Sequence, residues 1–406
     1  VVVPVSAVNG GARPAAGRTA DDLRRDNLAL LMGLVHHSGG LSRAELTRRT
    51  GLNRSTVGAC LADLAALGLV VEGQPEASPR KGRPSPVFQP SPDTVAVTVN
   101  PEVDALTIGL VGLGGRVLER WRIEISAGLT AGDVVTRSAA AIRALLAGRS
   151  LAVAGVAIAV PGQVRQRDGQ VRDAVHLGWR EEPLAARLAE ATGLPTRAAN
   201  AASLGMTGES AFGAGRGVDD LVYFIGGASG IGGGVISGGR VVRGASGYGG
   251  ELGHFMVRGG GRTCPCGARG CLEIEVTQHE LLDAVGLAAH RADRLDEALA
   301  ATRDAAVLDV VRRDLDLLGI AVRNAVNVFN PRLVVLGGFL AALYRNRPDD
   351  AVLAGDAIRS SRESLTIATA ELGADQLTIG TAELAFSDLL TDPAGHTPTR
   401  TGPTAP

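Results

Sequence analysis

One stretch, PEASPRKGRPSPVFQPSP from Pro75 to Pro92, constrains this chain more than any other. Its density of Pro, Ser and Gly cannot continue a helix and suits an extended connection, so it divides the 406 residues into a short first part and a long second one. Charge divides at the same place. Up to Pro90 there are 11 Lys+Arg against 7 Asp+Glu, and beyond it 30 against 35. The net charge of -1 therefore hides a basic piece of about +4 and an acidic piece of about -5. Near-neutrality of the whole chain argues against a nucleic-acid partner, but the basic piece reverses that inference.

The basic piece has helical periodicity. Leu23, Leu28, Leu30, Leu31, Leu34 and Val35 predict a first helix ending before Gly39-Gly40. LSRAELTRRTGLNRSTVGACLADLAALGLV then predicts two short helices around a tight turn at Gly51, with Ser42 and Asn53 as caps. These are the dimensions of a helix-turn-helix, whose second helix presents its first turn to the major groove. That turn is Asn53, Arg54, Ser55 and Thr56, all able to hydrogen-bond base edges or phosphates, with Ser42 and Arg43 at the start of the preceding helix. LGLVVEGQ and SPVFQP predict a two-stranded wing. Between them lie Arg80, Lys81 and Arg83. An Arg held extended between Gly and Pro suits a narrow minor groove, and the neighbouring cations suit phosphates.

Beyond the break, β-rich apolar runs (VAVTV, LTIGLVG, LAVAGVAIAV, RLVVLGG) alternate with amphipathic helical patterns such as VVTRSAAAIRALLAG, which predicts an α/β domain with a mixed sheet. No run of about 18 apolar residues exists, which excludes an apolar transmembrane helix. The boundaries predicted are a disordered leader over 1–20 and a winged helix-turn-helix over 21–75. A wing and basic linker over 76–93, an α/β domain over 94–390 and a disordered tail over 391–406 complete the chain. The leader lacks the basic start and long apolar core of a secretory signal, which implies a cytoplasmic protein.

Three of the four cysteines crowd into GGELGHFMVRGGGRTCPCGARGCLEIE. His254, Cys264, Cys266 and Cys271 are a full tetrahedral set for one structural zinc, with no position open for water. Cys60 lies in the predicted second helix of the helix-turn-helix, too remote to join the set by local spacing.

On these segments the chain resembles the ROK family, named for repressors, open reading frames and kinases, and specifically its transcriptional-regulator branch. The resemblance runs from about Asp22 to Asp392. It is carried by SRAELTRRTGLNRSTV, GVAIAVPGQV with HLGWREEPLAARL, GASGYGGELGH with CPCGARGCLE, and FNPRLVVLGG. It implies a two-lobed, actin-like, hexokinase-type fold around a cleft. It also implies contacts to sugar hydroxyls from Glu251, His254 and Glu273; the two carboxylates could alternatively serve only to steady the zinc ligands. The family's kinases carry an Asn-Asp-Ala-Asn stretch whose Asp deprotonates the attacking hydroxyl. Set against Arg197, Ala198, Ala199 and Asn200, the base position is Ala198, and Arg197 and Asn200 become candidate effector contacts. The family's Asp-x-Gly-Gly-Thr phosphate motif is Asn100, Pro101, Glu102, Val103 and Asp104 here, without its glycines. Only the Gly226–Gly239 loop survives.

The reading that follows is a DNA-binding regulator, a repressor by that resemblance, responsive to a sugar or sugar-derived effector and without catalysis. It would act as a homodimer or tetramer on a two-fold or pseudo-palindromic operator. The alternatives are a bifunctional or residual ATP-dependent sugar kinase, which needs a base and a phosphate cradle, and an effector-independent DNA-binding regulator.

Overall fold

The computed structural model describes residues 19–73, 86–125, 128–347, 353 and 355–402. Helix α1 (Ala20–Ser38) opens with a capping box between Thr19 and Asp22 and ends at Gly39, whose φ of 72° closes the helix in the left-handed region. A short strand β1 (Leu41–Ser42) leads into α2 (Arg43–Thr50) and α3 (Arg54–Ala66). Ser42 accepts from the Glu45 amide and Asn53 from the Thr56 amide, the two caps expected from the sequence. Strands β2 (Val70–Gly73) and β3 (Val87–Pro90) form the antiparallel wing, and β1 adds a third strand to it by pairing with β3.

The first lobe is built on β4 (Thr94–Pro101), β5 (Ala105–Gly112) and β6 (Arg116–Glu124), then α4 (Ala131–Leu146) and β7 (Ala152–Val160). A small antiparallel sheet follows, β8 (Gln163–Arg165), β9 (Gln170–Ala174) and β10 (Trp179–Glu182). Helix α5 (Leu184–Thr192), strand β11 (Thr196–Asn200) and helix α6 (Ala201–Phe212) complete it. The main sheet runs β11-β7-β4-β5-β6. Its inner strand β7 is buried at all nine positions, which is why AVAGVAIAV reads as an unbroken apolar run.

The second lobe has β12 (Leu221–Gly227), β13 (Gly230–Ser237) and β14 (Arg240–Val241). Short helices α7 (Leu272–Glu275), α8 (Gln278–Ala284) and α9 (Leu295–Ala301) precede the long α10 (Ala305–Phe329). Then come β15 (Leu333–Gly338), α11 (Phe339–Arg345), α12 (Arg359–Arg362) and β16 (Thr366–Thr369), giving a sheet ordered β14-β13-β12-β15-β16. Helix α13 (Gln376–Thr391) returns to the first lobe, packing on β7 and β4 and lying along α6.

One expectation needs correction. The segment from Thr391 is not a disordered tail over its described part. Thr399–Arg400 form a strand, β17, antiparallel to the start of β7, and Thr401 exchanges hydrogen bonds with Arg149 and Leu151. Edge addition uses backbone groups alone, so it leaves no apolar pattern to read. The basic piece packs directly onto the first lobe. Leu28, Met32 and Val35 of α1 share one buried cluster with Ala96 of β4 and Ala385, Phe386 and Leu389 of α13. Arg80, Lys81 and Arg83, residues 1–18 and residues 403–406 lie outside the described residues.

Candidate functional site

The two lobes enclose a cleft of about 520 Å³. From the first lobe it receives Asn100, Pro101 and Glu102 at the end of β4, Gly162 and Gln163, and Asn200, Ala201 and Ala202 where β11 turns into α6. From the second it receives the β12–β13 turn, Gly227 to Gly232, together with Glu251, His254 and Glu273. Asp173, His176 and Arg180 line the same cleft and were not anticipated from the sequence. Their only signal was their position just around HLGW, the segment that carried the resemblance.

The cysteine cluster forms one wall. Sγ of Cys264 lies 3.6 Å from Nδ1 of His254, and the sulfurs of Cys266 and Cys271 are 3.8 Å apart. All four ligand atoms fall within 4.8 Å of one another. A tetrahedron with Zn–S of about 2.3 Å and Zn–N of about 2.0 Å has edges of roughly 3.5 to 3.8 Å, so the set fits zinc. A turn in which the Gly267 amide donates to the Cys264 carbonyl, and a bridge from Met256 to Cys271, shape the loop. Burial raises the Cys264 and Cys271 thiols, while the Ala268 amide stabilises the thiolate of Cys266 and lowers it.

Glu273 borders both the cleft and the metal ligands. Its Oε1 is 3.1 Å from Sγ of Cys264 and 3.5 Å from Nδ1 of His254. Burial pushes the Glu251 carboxyl up, His254 opposes the shift and Glu273 adds to it. The three residues expected at the sugar site, Glu251, His254 and Glu273, are thus brought together.

Arg197 is not brought with them. It makes a bidentate pair with Asp388 of α13, at 2.6 and 2.8 Å, on the wall of a second cavity of about 940 Å³ between α1, the first lobe and the segment from Val241 to Gly249. The acidic partner on α13, opposite β11, holds the guanidinium away from the cleft. Ala198 is buried in the first-lobe core and touches the second cavity rather than the cleft. Asn200 does reach the cleft, but its Oδ1 caps α6 through the Ser203 amide and its Nδ2 donates to the Gly162 carbonyl. It fastens the Pro-Gly loop to the helix.

At the other end of the chain, Arg43, Asn53, Arg54 and Ser55 are exposed, and Ser42 and Thr56 are partly so. Asn53 Oδ1 serves both the Thr56 amide and the Ser55 hydroxyl, leaving its amide nitrogen as the group facing outward chemistry. The Arg43 guanidinium sits 5.6 Å from the Phe88 ring of the wing. One cluster escaped the sequence reading altogether: His36 and His37, consecutive at the end of α1, meet Glu383 of α13. The adjacent histidines were its only signal.

A sequence profile of the ROK family matches residues 102–387. The chain belongs to the ROK family. Among its ROK relatives, the xylose repressor of Bacillus subtilis is 29% identical over 318 residues, covering 77% of this chain and 82% of the relative. A glucokinase of Thermotoga maritima is 32% identical over 249 residues, covering 57% of this chain and 78% of the enzyme. A crystal structure of a ROK family transcriptional regulator, homologous to the E. coli MLC protein, superposes with a TM-score of 0.72 at 26% identity. It covers 91% of this chain and 97% of that one. A ROK glucokinase from Streptomyces griseus in complex with glucose and AMPPNP gives a TM-score of 0.57 at 26% identity, over 71% and 98%. Among the described residues no helix is long and apolar enough to cross a membrane.

Proposed function

We propose that the chain is a cytoplasmic, sequence-specific DNA-binding regulator, acting as a repressor, whose ROK body senses a sugar and transfers no phosphoryl group. The observation that carries this reading is a winged helix-turn-helix whose core is continuous with a ROK body, in a chain similar to regulators over most of its length. In this reading Arg54 and the open face of Asn53, Ser55 and Thr56 meet bases, and Ser42 and Arg43 meet backbone phosphates. Arg83 enters the minor groove beside them, and Arg80 and Lys81 meet phosphates. Dimers, or pairs of dimers, would place two readers on a two-fold operator.

The cleft favours sensing over chemistry. Ala198 stands at the family's base position, and from the same stretch the cleft receives Ala201 and Ala202, so the turn from β11 into α6 brings no carboxylate to it. A methyl group cannot accept the hydroxyl proton. On the phosphate side, Glu102 lines the cleft and holds Arg122 at 2.8 Å, putting a carboxylate where a kinase needs amides for anions. Glu251, Glu273 and the free face of His254 remain to accept and donate hydrogen bonds to vicinal hydroxyls. One zinc per chain, held by His254, Cys264, Cys266 and Cys271, would be structural: it would fix the His254 ring and order the loop beside the sugar.

Mapping bound DNA and repeating it with Arg54→Ala tests the reader; undiminished operator binding by the variant refutes it. A melting-temperature screen with xylose, glucose and their phosphates tests sensing, and no shift with any sugar would leave a constitutive regulator. ADP release with any of these sugars would restore the kinase reading.

A further inference from the structure

Helices α6 and α13 both begin at the cleft and both end against the reader. Ala201 and Ala202 of α6 and Leu377 of α13 line the cleft. A Cβ built on Gly380 of α13 would stand 1.7 Å from the Leu204 carbonyl, and one on Gly208 of α6 would stand 2.6 Å from the Gln376 carbonyl. The helices therefore touch backbone to backbone, with no side-chain layer at these contacts to absorb relative movement. At the far end, Phe212 of α6 packs edge-on against His36, ring centres 5.4 Å apart, and Phe386 of α13 packs against the same ring at 5.5 Å. Between them Glu383 of α13 bridges the two histidines of α1, at 2.6 Å to Nε2 of His36 and 2.9 Å to Nε2 of His37.

Proton placement follows from the partners. The Gly114 amide donates to Nδ1 of His36 over 3.0 Å, so that nitrogen carries a lone pair and the proton sits on Nε2, which donates to Glu383. His37 meets the other Glu383 oxygen through its own Nε2 at 2.9 Å. Two imidazoles and a carboxylate at this spacing also resemble a metal site. The tautomer excludes it, because a neutral His36 has one lone pair and Gly114 already uses it. The cluster is a buried Glu383 carboxylate held between two imidazoles, where Glu383 favours a proton on His37 and burial disfavours a second one on His36.

We infer that Glu383, gripping His36 and His37, is the contact through which the state of the cleft reaches the DNA reader. The inference rests on the reading of the ROK body as a regulator of that reader. Displacement of α6 and α13 when the lobes move carries Glu383, Phe212 and Phe386 together, and α1 must follow or break two charge-assisted hydrogen bonds. The lever has a built-in fulcrum: a Cβ on Gly232 of β13 would lie 2.6 Å from Cβ of Ala202, so the second lobe presses directly on the first residues of α6.

The test needs no sugar. Full-length, zinc-loaded wild type, Gly232→Ala, Glu383→Gln and the double variant are compared by hydrogen exchange. Gly232→Ala wedges the cleft at Ala202; if it does not fold, Leu377→Ala perturbs the same end of α13. The expected result is that the wedge changes exchange in residues 20–38 by on the order of tenfold with Glu383 present, and by less than about twofold in the Glu383→Gln background. An equal change in both backgrounds, or a change in α6 with none in α1, overturns the relay. So does a second zinc equivalent that is lost with Glu383→Gln. Loss of all DNA binding in the wild type would instead refute the regulator reading, whatever the exchange cycle shows.

Discussion

Three glycines of the metal loop meet different surroundings when a methyl group is added, and the differences set a graded series of zinc affinities. Gly259 has open space around the new Cβ and a φ that other residues adopt; its Ala variant should bind zinc within about twofold of wild type. Gly267 also has open space, but at φ 93°. Ala there strains the bound conformation by about 1–2 kcal/mol, or roughly five- to thirtyfold in zinc dissociation constant. Gly270 combines φ 76° with a Cβ only 1.8 Å from the Arg258 carbonyl oxygen. Relief requires more than 1 Å of separation, which breaks the bonds from the Val257 and Arg258 amides to the Gly270 carbonyl. Two backbone bonds at about 0.5–1.5 kcal/mol each, added to the φ strain, give about 2–5 kcal/mol, or thirty- to several-thousandfold. Chelator competition on the three purified variants measures the order. Equal losses at Gly267 and Gly270, or a Gly259 loss as large as either, would refute the claim that close packing of this loop holds the ligands in place.

Because Arg197 pairs with Asp388 at the surface, Arg197→Ala should leave any sugar-induced melting shift unchanged and cost at most about 1 kcal/mol in denaturant titration. Gly380→Ala should destabilise the first lobe by about 3 kcal/mol or more through contact with Leu204. Gly319→Ala, inside α10 with its nearest neighbour at 3.6 Å, should stabilise by about 0.5–1 kcal/mol; chemical denaturation separates the two signs. The Glu383 carboxyl is held below its usual range, despite its burial, by His36 and His37, so its contribution is present above the carboxylate range and lost as pH falls. His37 is raised by Glu383 against the opposing burial, so its contribution is present below 6.5 and lost as pH rises through the raised value. Burial lowers His36, which adds a second loss on the acid side below 6.5. Exchange in residues 20–38, corrected for intrinsic rates, should therefore rise above neutral pH in wild type, and Glu383→Gln should flatten that rise.

Local signals in the sequence carried local structure. Ser42 and Asn53 marked the starts of two helices because a cap is decided within three residues. The cysteine set was legible because one loop of 18 residues supplies all four ligands. The errors fall where the deciding neighbour is distant. Arg197 looked available for a ligand until Asp388, 191 residues away, appeared beside it. The role of His36 and His37 depends on Glu383, and no periodicity within α1 distinguishes two histidines that meet a partner from two that face solvent. Alanine and asparagine recur through RAANAAS, and only the turn from β11 into α6 shows that Asn200, Ala201 and Ala202 are the ones on the cleft.

The glycines of the segment from Gly226 to Gly239 have packing reasons of their own. They read naturally as a phosphate cradle, yet most meet protein rather than space. A Cβ on Gly226 would strike the Phe339 ring at 2.3 Å, on Gly233 the Tyr223 carbonyl and Leu252 at 2.8 Å, and on Gly234 the sulfur of Met206 at 2.7 Å. Gly232 is held by Ala202 in the same way. Packing of β12 and β13 against α11, α6 and the metal-binding segment demands these residues whether or not a nucleotide is ever bound. Gly227 is different, with nothing within 4 Å and no positive φ, so it is a position where loss of a phosphate role would leave no structural reason for glycine. Gly227→Ala should therefore fold as wild type and keep DNA binding, whereas Gly233→Ala should lose the second-lobe core. If Gly227→Ala instead abolishes regulation while leaving the fold intact, something must approach that backbone closely, and the case for a nucleotide in this cleft would reopen.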